Sequence, residues 1–372
     1  MKALIVLGTR PEAIKMAPLI SALKQEPEID VEVCVTAQHR QMLDPMLDFF
    51  CICPDYDLDV MAPDQTLLGM TSKVLVGLDP VLKNASPDLV LVQGDTSTTL
   101  AAALSAHYCQ IEVAHVEAGL RTGDLAAPWP EEANRRLTSV LAKYHFAPTA
   151  GARDNLLREG VPVGAIHVTG NTVIDALLET AARIRGDVIK RNELTNRFAF
   201  LNSNRRMILV TAHRRENLDH GLESVCGALL EIARRGDVDI VFPVHFNPKV
   251  REPVHRLLNG VPGIYLIDPQ DYLPFVYLMD RATLVITDSG GIQEEAPAMG
   301  KPVLVTREGT ERPEAVAAGT VRIVGTSHET IVMEATRLLD DAAGYAAMAQ
   351  ATNPYGDGKA AQRIRDILVN AC

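Results

Sequence analysis

One pattern dominates this sequence: a short run of apolar, often β-branched residues, then a turn, then a segment with the periodicity of a helix. Runs such as Ala3–Leu7, Val31–Thr36 and Leu89–Val92 show no alternation of polar and apolar residues. Strands of this kind are buried on both faces, which is typical of parallel sheets covered by helices. The pattern therefore predicts an α/β fold built from doubly wound parallel sheets.

The pattern runs through the chain twice, and a charged stretch without strand signals, Arg183–Asn204, lies between the two series. The predicted strands of the second series are Met207–Val210, Asp239–Pro243, Gly263–Ile267, Thr283–Thr287, Pro302–Val305 and Thr320–Val324. A chain of 372 residues suits two domains. We place the first at 1–171 and the second at 172–354, and we expect the last helix, within 355–372, to cross back onto the first domain. The crevice at the carboxyl ends of the two sheets is the expected ligand site.

Charge and cysteine usage narrow the class of partner. The chain has 47 acidic and 36 basic residues, a net charge of −11, which argues against nucleic acid or an anionic membrane as the main partner. The six cysteines are scattered without metal-binding spacing, as in proteins of a reducing compartment. The apolar run at the N-terminus is too short for a signal peptide, so we expect a cytoplasmic protein.

The turn "DSGGIQEEAP" follows the predicted strand Thr283–Thr287. Glycines allow a ligand to approach the main chain, and the N-terminus of the following helix, predicted to begin near Ile292, offers free N–H groups to an anion such as a diphosphate. The alternative is a simple turn in which the glutamates only cap the helix. The turn "GTRPEAIK" after the first strand is similar, and Arg10 and Lys15 lie where they could reach an anion.

Acids and a histidine follow the strand ends. Asp95, Glu117 and His213 come after three different strands, and Glu131 opens a helix. Taken singly, Asp95 and Glu131 could be helix caps and His213 a core imidazole. Together, carboxylates held close would have pKa values pushed apart, which supplies both a base and an acid near neutral pH.

Ten segments of the sequence resemble, in order and at matching spacing, the motifs of the bacterial non-hydrolysing UDP-N-acetylglucosamine 2-epimerases. They are "GTRPEAIKMAP", "VTAQHR", "GDTSTT", "HVEAGLRTGD", "PWPEEANR", "TGNTVIDAL", "TAHRREN", "TDSGGIQEEAP", "TERPEA" and "NPYGDG". The resemblance implies a GT-B fold of two Rossmann-like domains with a cleft between them, and a homodimer. It implies reversible interconversion of UDP-GlcNAc and UDP-ManNAc without a metal or another cofactor, for use in surface polysaccharides.

The resemblance also implies roles for individual residues. Those matching the catalytic positions are Asp95, Glu117, Glu131 and His213. Those matching substrate-binding positions are Arg10, Lys15, Gln270, Phe275, Ser289, Gly290, Gly291, Glu295 and Arg312. Ser289, Gly290 and Gly291 match the diphosphate-binding turn, Glu295 the acid that binds ribose, and Gln270 and Phe275 the positions beside uracil.

The reaction of the family implies a role in proton transfer for the acidic residues. Departure of UDP from C1 makes the C2 proton labile, and anti elimination gives 2-acetamidoglucal and UDP. UDP then re-adds while a proton arrives at the opposite face of C2, so two faces require two proton-handling groups among Asp95, Glu117 and Glu131. His213 would stabilise charge on the leaving diphosphate.

Some members of the family are activated by a second UDP-GlcNAc. The matching positions are Gln38, Gln41, Glu131, Arg214 and His245. Asp64 stands where a relative has an arginine, and a carboxylate cannot replace a guanidinium that faces an anion.

Three alternatives remain open. A GT-B glycosyltransferase would use the same nucleotide turn but needs only one base in the first domain. This chain has three candidate acids there, Asp95, Glu117 and Glu131. The hydrolysing branch of the epimerases commonly carries a kinase domain, which these 372 residues do not include. A silent nucleotide-sugar sensor would be expected to have lost some of the acids.

Overall fold

The computed structural model describes residues 1–38, 40–62, 65–212 and 220–371. The chain divides into two compact units. Unit 1 comprises Met1–Ala176 and the C-terminal stretch from Tyr355, and unit 2 comprises Leu177–Pro354. Within the described residues, no helix combines the length and the apolar character needed to cross a membrane.

Unit 1 contains a seven-stranded parallel sheet in the order β3-β2-β1-β4-β5-β6-β7. Its strands are β1 Lys2–Leu7, β2 Asp30–Val35, β3 Tyr56–Asp57, β4 Leu89–Gln93, β5 Glu112–Val116, β6 Tyr144–Ala147 and β7 Ile166–Val168. Its helices are α1 Arg10–Lys24, α2 Arg40–Phe49, α3 Leu67–Ala85, α4 Ser97–Tyr108, α5 Glu131–Leu141, α6 Ala150–Arg158, the start of α7 Thr172–Gly186, and α16 Ala360–Val369.

The strand order of unit 1 reverses between β1 and β4. The chain leaves β1 toward β2 and β3 on one side, and it returns to place β4 on the other side. The loops after β1 and β4 therefore diverge and leave a crevice at the carboxyl edge, where ligands of doubly wound sheets bind. β5 lies next to β4, so the loop after it opens at the same edge.

Burial on both faces explains why these strands read as continuous apolar runs. Ala3–Leu7 is almost completely buried, and a cluster of apolar side chains from α3 and α4 packs on β1 and β4. α16 packs against α1 and buries Ile364 and Leu368.

Unit 2 contains a six-stranded parallel sheet in the order β10-β9-β8-β11-β12-β13, which reverses between β8 and β11. Its strands are β8 Arg206–Thr211, β9 Val238–Pro243, β10 Ile264–Ile267, β11 Leu284–Thr287, β12 Val303–Val305 and β13 Val321–Ile323. Its helices, beyond the rest of α7, are α8 Val188–Arg197, α9 His220–Ala233, α10 Pro248–Leu258, α11 Tyr272–Arg281, α12 Gly290–Ala298, α13 Pro313–Ala317, α14 His328–Asp340 and α15 Ala342–Ala349.

The predicted class, two doubly wound parallel sheets with intervening helices, is confirmed. Two details differ from the sequence-based prediction. The strand β3 and the helix α3 were not predicted. A strand of two residues, such as β3, leaves no apolar run in the sequence. The helix α12 begins at Gly290 and not near Ile292, so both glycines of the turn belong to its first turn.

Candidate active site

The loop after β1 places Arg10 and Lys15 at the carboxyl edge of unit 1. Gly8 directly follows β1. No side chain fits at this position, because a Cβ atom would lie 2.2 Å from Thr36 Oγ1. Arg10 is the exposed first residue of α1, and Lys15 lies further along the same helix. The start of α1 thus carries two cations at the edge where the sheet order reverses.

Glu12 holds that loop in place from inside. Its buried carboxylate accepts hydrogen bonds from Gly8 N (2.9 Å), Thr9 N (2.7 Å), the Thr96 hydroxyl (2.7 Å) and the Thr99 hydroxyl (3.2 Å). Burial raises the pKa of Glu12, and these hydrogen bonds oppose the rise. Glu12 thereby connects the start of α1 to the start of α4.

Glu117 follows β5 directly and has a φ of +64°, a value rare for a residue other than glycine. Only 8% of the residue is exposed. Its carboxylate accepts hydrogen bonds from Lys15 Nζ (2.8 and 2.6 Å), Asn171 Nδ2 (2.8 Å) and Gln93 Nε2. Donors from three different segments therefore hold this carboxylate in place.

Asp95 has a different environment. Arg135 donates to its carboxylate, Asn134 donates to its main-chain oxygen (2.9 Å), and 30% of its side chain is exposed. Burial raises the pKa of the Asp95 carboxyl; Arg135 opposes this rise, Glu117 adds to it and Lys15 opposes it. Two neighbouring acids are thus held differently, one clamped and one with a raised pKa and partial access to solvent.

Asp95 and Glu131 are not the N-caps of the helices that follow them. The cap of α4 is Thr96, whose hydroxyl accepts from Thr99 N at 3.1 Å. Glu131 is the first residue of α5 and is half-buried, and its neighbour Glu132 points inward to accept from the Thr122 and Gly123 main chain at 3.1 and 3.2 Å. Glu131 and the two residues that hold Asp95 therefore lie on the first turns of one helix.

His115 supports the same edge from within the sheet. It is fully buried on β5, and its Nε2 lies 2.7 Å from the main-chain oxygen of Gly94, directly before Asp95. Burial lowers the pKa of His115 to about 4, so the imidazole is neutral near neutral pH. We interpret it as a structural residue that fixes the loop after β4.

In unit 2, the turn after β11 brings main-chain N–H groups to the start of α12. Ser289 N donates to the Thr287 hydroxyl (2.9 Å), and the helix begins at Gly290. A Cβ atom on Gly291 would lie 3.3 Å from Glu295 Oε1, so this carboxylate lies one turn further along, close to the glycine. The arrangement offers a helix N-terminus to an anion with an acid beside it.

The two adjacent glutamates of α12 have different surroundings. Glu294 is buried and accepts from Arg312 Nε, and its main-chain oxygen accepts from Asn353 Nδ2 at 2.8 Å. Glu295 is half-buried. The resemblance assigns Arg312 to substrate binding, and in this structure its side chain also forms an ion pair with Glu294.

The residues assigned to uracil lie at the beginning of α11. Phe275 is on that helix, and Gln270 precedes it, accepting from Arg197 at 2.8 Å and donating to the Asp268 main chain at 2.5 Å. Burial raises the pKa of the Tyr272 phenol, and the Glu295 charge adds to that rise, which indicates that the start of α11 lies near Glu295.

The residues assigned to a second ligand are only partly described. Gln38 accepts weakly from the Thr98 hydroxyl (3.4 Å), Gln41 is exposed on α2, and His245 is exposed in unit 2 with its Nδ1 accepting from Asn247 N (3.1 Å). His213, Arg214 and Asp64 lie outside the described residues.

Sequence reasoning assigned no role to four side chains that build the edge of unit 1. They are Glu12, Gln93, Arg135 and Asn171. All four lie inside the motif segments or directly beside them, so the motifs could have pointed to these residues. Among the described residues, no group of three or more His, Cys, Asp or Glu side chains is arranged to hold a metal ion.

Known proteins are similar to this chain over its whole length. A model of the UDP-N-acetylglucosamine 2-epimerase family matches residues 21–369. The UDP-N-acetylglucosamine 2-epimerases of Yersinia pestis and Escherichia coli K12 are 60% and 58% identical to this chain over 371 residues. The aligned residues cover 100% of this chain and 99% of each relative.

A solved structure agrees with the fold. The crystal structure of the UDP-GlcNAc 2-epimerase of Neisseria meningitidis, bound to UDP-GlcNAc, has a TM-score of 0.90 and 50% identity, with both chains fully covered. The family resemblance and the GT-B fold class predicted from the sequence are confirmed. Since the similarity extends over the whole length in both sequence and structure, the chain belongs to the UDP-N-acetylglucosamine 2-epimerase family of enzymes.

Proposed function

We propose that this enzyme interconverts UDP-GlcNAc and UDP-ManNAc by inverting the configuration at C2 of the sugar. The observation that carries the proposal is the pair of acids at the carboxyl edge of unit 1, Asp95 and Glu117, held in contrasting environments. Family membership supports it, as do the solved relatives, one of which has UDP-GlcNAc bound.

The proposed reaction has two steps. In the first, the bond from C1 to the diphosphate oxygen breaks while a base takes the C2 proton, which yields 2-acetamidoglucal and UDP by anti elimination. In the second, UDP re-forms the bond to C1 while an acid gives a proton to the opposite face of C2. No net oxidation occurs, and every atom is returned.

The acids suit different parts of this cycle. A carboxyl with a raised pKa binds a proton more readily than an ordinary one, which fits Asp95 as a group that exchanges a proton. Glu117, whose carboxylate accepts from a lysine and two amides, is proposed to stabilise positive charge on the sugar ring or to accept the C2 proton. Glu131 completes the proposed set of acids, and His213 is proposed to stabilise the leaving diphosphate.

The substrate is proposed to be bound by groups from each unit. In unit 2 the start of α12, with Ser289, Gly290 and Gly291, is assigned to the diphosphate and Glu295 to the ribose. The remaining assignments are Arg10, Lys15, Gln270, Phe275 and Arg312. The helix N-terminus and the acid that follows one turn later are the features that support the assignment of unit 2.

We also propose that the enzyme is a cytoplasmic homodimer that supplies ManNAc for surface polysaccharide. Large apolar side chains are exposed on α3 and α5, namely Leu68, Val76, Leu137 and Val140, and both helices pack on α4. Such a face is a candidate for burial against a second copy. A second UDP-GlcNAc site at Gln38, Gln41, Arg214 and His245 would have to be built differently from that of the relative, because Asp64 stands where the relative has an arginine.

Incubation with UDP-GlcNAc in deuterium oxide tests the proposed reaction. We expect a mixture of UDP-GlcNAc and UDP-ManNAc, with deuterium at C2 of the product, measured by NMR. If neither appears and a sugar acceptor restores turnover, the enzyme is a glycosyltransferase. Release of free ManNAc would indicate hydrolysis instead.

A further inference from the structure

We propose that Asn171 is a positioning residue for the epimerisation, acting through Glu117. This inference rests on the proposed function, because it assigns a task within the same reaction. Asn171 lies 54 positions after Glu117 in the chain and is almost completely buried. Its side chain is one of the three that hold the Glu117 carboxylate.

The Asn171 side chain and main chain make three hydrogen bonds that orient it. Nδ2 donates to Glu117 Oε1 at 2.8 Å, Oδ1 accepts from Val173 N at 3.2 Å, and the main-chain N donates to Tyr355 O at 2.7 Å. Because Oδ1 is used at the start of α7, the amide can present only its NH₂ group to Glu117. The residue therefore supplies a donor of fixed direction.

The main chain around Asn171 is packed so closely that this direction cannot drift. Gly170 has a φ of +90°, and a Cβ atom there would lie 3.3 Å from Gly356 Cα. Four residues further on, Asp175 accepts from Ala360 N and Ala361 N at 3.2 and 2.9 Å. The start of α7 is thus joined to the returning C-terminal stretch on both sides of Asn171.

The charged groups around Glu117 explain why a neutral donor is needed. Lys15 faces it from α1, Asp95 from the loop after β4, and the neutral His115 lies on its own strand. Lys15 contacts both carboxylate oxygens and Gln93 donates to Oε2, so without Asn171 the only neutral donor among these contacts would be on the Oε2 side. The Asn171 amide holds Oε1 from another direction without adding a charge that would alter the electrostatics of Asp95.

A competing explanation is that Asn171 only caps α7. The variant Asn171→Asp separates the two roles, because it keeps the shape and the oxygen that accepts from Val173 N but replaces the donor to Glu117 by an acceptor. At neutral pH two carboxylates would then face each other. As the pH falls, the pair takes up one proton and an O–H bridge forms between them.

The experiment measures kcat and KM for UDP-GlcNAc epimerisation by wild type and Asn171→Asp between pH 5 and 8, with UDP affinity and thermal melting as checks. We expect kcat of the variant to be roughly 10- to 100-fold below wild type at pH 8, because a charge-assisted hydrogen bond is lost. The ratio of variant to wild type should rise as the pH is lowered, with KM and UDP affinity little changed.

Two further variants serve as comparison and control. Asn171→Ala removes donor and cap together, so its kcat should fall similarly without recovering at low pH. Asp175→Asn weakens the same join between α7 and the C-terminal stretch but does not touch Glu117. It should melt at a lower temperature and keep the pH dependence of wild type.

Several results would overturn the inference. These are a kcat for Asn171→Asp within about twofold of wild type at pH 8, a ratio that does not change with pH, or the same pH effect in Asp175→Asn. If Asn171→Asp and Asn171→Ala both fail to fold, the residue is structural and the inference is wrong. Wild type without C2 exchange would refute the proposed function itself, whereas active wild type with an equally active variant refutes only the role of Asn171.

Discussion

At the scale of single residues, the edge of unit 1 shows how one charge type can perform two tasks. Glu117 is clamped by three donors, whereas Asp95 is paired with Arg135 and remains partly accessible. The difference comes from what surrounds each carboxyl and not from the carboxyls themselves. In the proposed reaction, the raised pKa favours Asp95 as one of the groups that exchange a proton.

Asp95→Asn tests this assignment. The amide keeps the size of the side chain but cannot take up a proton, so we expect turnover to be lost. UDP affinity should stay within about tenfold, about 1.4 kcal/mol, because the nucleotide is assigned to unit 2. Isothermal titration with UDP and the C2 deuterium assay measure both, and a variant that no longer binds UDP would place Asp95 in nucleotide binding.

The acids could be predicted from the sequence because strand ends of a parallel sheet share one edge, and Asp95 and Glu117 each follow a strand. The side chains that donate hydrogen bonds to Asp95 and Glu117 could not be predicted from the sequence. Whether Asn171 reaches Glu117 across 54 residues depends on how β7 and α7 are aligned with β5, and the apolar pattern carries no such information. The sequence also could not show that Glu132, and not Glu131, points inward.

Glu12 gives a pH-dependent prediction. Burial raises its pKa in the folded state above that of the unfolded chain, so the folded protein binds the proton more tightly and loses stability as the pH rises through the folded pKa. In Glu12→Gln, the amide oxygen can accept from Gly8 N and Thr9 N while the NH₂ group donates to the threonine hydroxyls. We expect its melting temperature relative to wild type to increase from pH 5 to pH 8.

The matched comparison is Glu12→Ala, which leaves the Gly8 and Thr9 amides without their acceptor. It should be less stable than wild type by about 1–3 kcal/mol at low pH, where wild type is most stable. A melting difference between Glu12→Gln and wild type that stays constant with pH would show that Glu12 does not titrate differently in the folded state.

At the scale of elements, α12 combines two requirements in its first turns. Its two glycines let a ligand approach the main chain, and Glu295 lies one turn later beside Gly291. The sequence predicted a turn here but placed the helix start two residues late, because glycines at a helix start carry no apolar periodicity. Anion binding by this turn stays a prediction.

Gly291→Ala separates helix stability from ligand binding. Alanine favours a helix over glycine by up to about 1 kcal/mol, so the melting temperature should not fall. The added Cβ would lie 3.3 Å from Glu295 Oε1, and it would hinder a diphosphate bound as proposed at the start of α12. We expect roughly tenfold weaker UDP binding by titration calorimetry. Unchanged affinity would mean that the diphosphate does not approach Gly291.

At the scale of the whole molecule, two sheets of the same class carry different chemistry at corresponding places. In each unit the strand order reverses beside the first strand of that unit, between β1 and β4 and between β8 and β11. In unit 1 the loops after β4 and β5 hold carboxyl groups, and in the described part of unit 2 the turn after β11 leads into the N-terminus of α12. The repeated strand–helix pattern predicted both sheets, but only the individual side chains distinguish their tasks.

The assembly of the molecule is tested on the exposed apolar face of α3 and α5. Leu68 is 84% exposed and Val140 is 82% exposed, and a second copy of the chain could cover both side chains. In Val140→Glu, a charge would have to be buried in the proposed homodimer, at a large cost in free energy. We therefore expect wild type to have the mass of two chains in light scattering and the variant to shift toward the mass of one.

The matched control is Ile189→Glu, an equally drastic change at an exposed apolar residue of α8 in unit 2. It should leave the mass at two chains, because the proposed interface belongs to unit 1. If wild type has the mass of one chain, the homodimer is refuted. If Val140→Glu remains a dimer, the subunits associate through another surface, and the apolar residues of α3 and α5 need a different explanation.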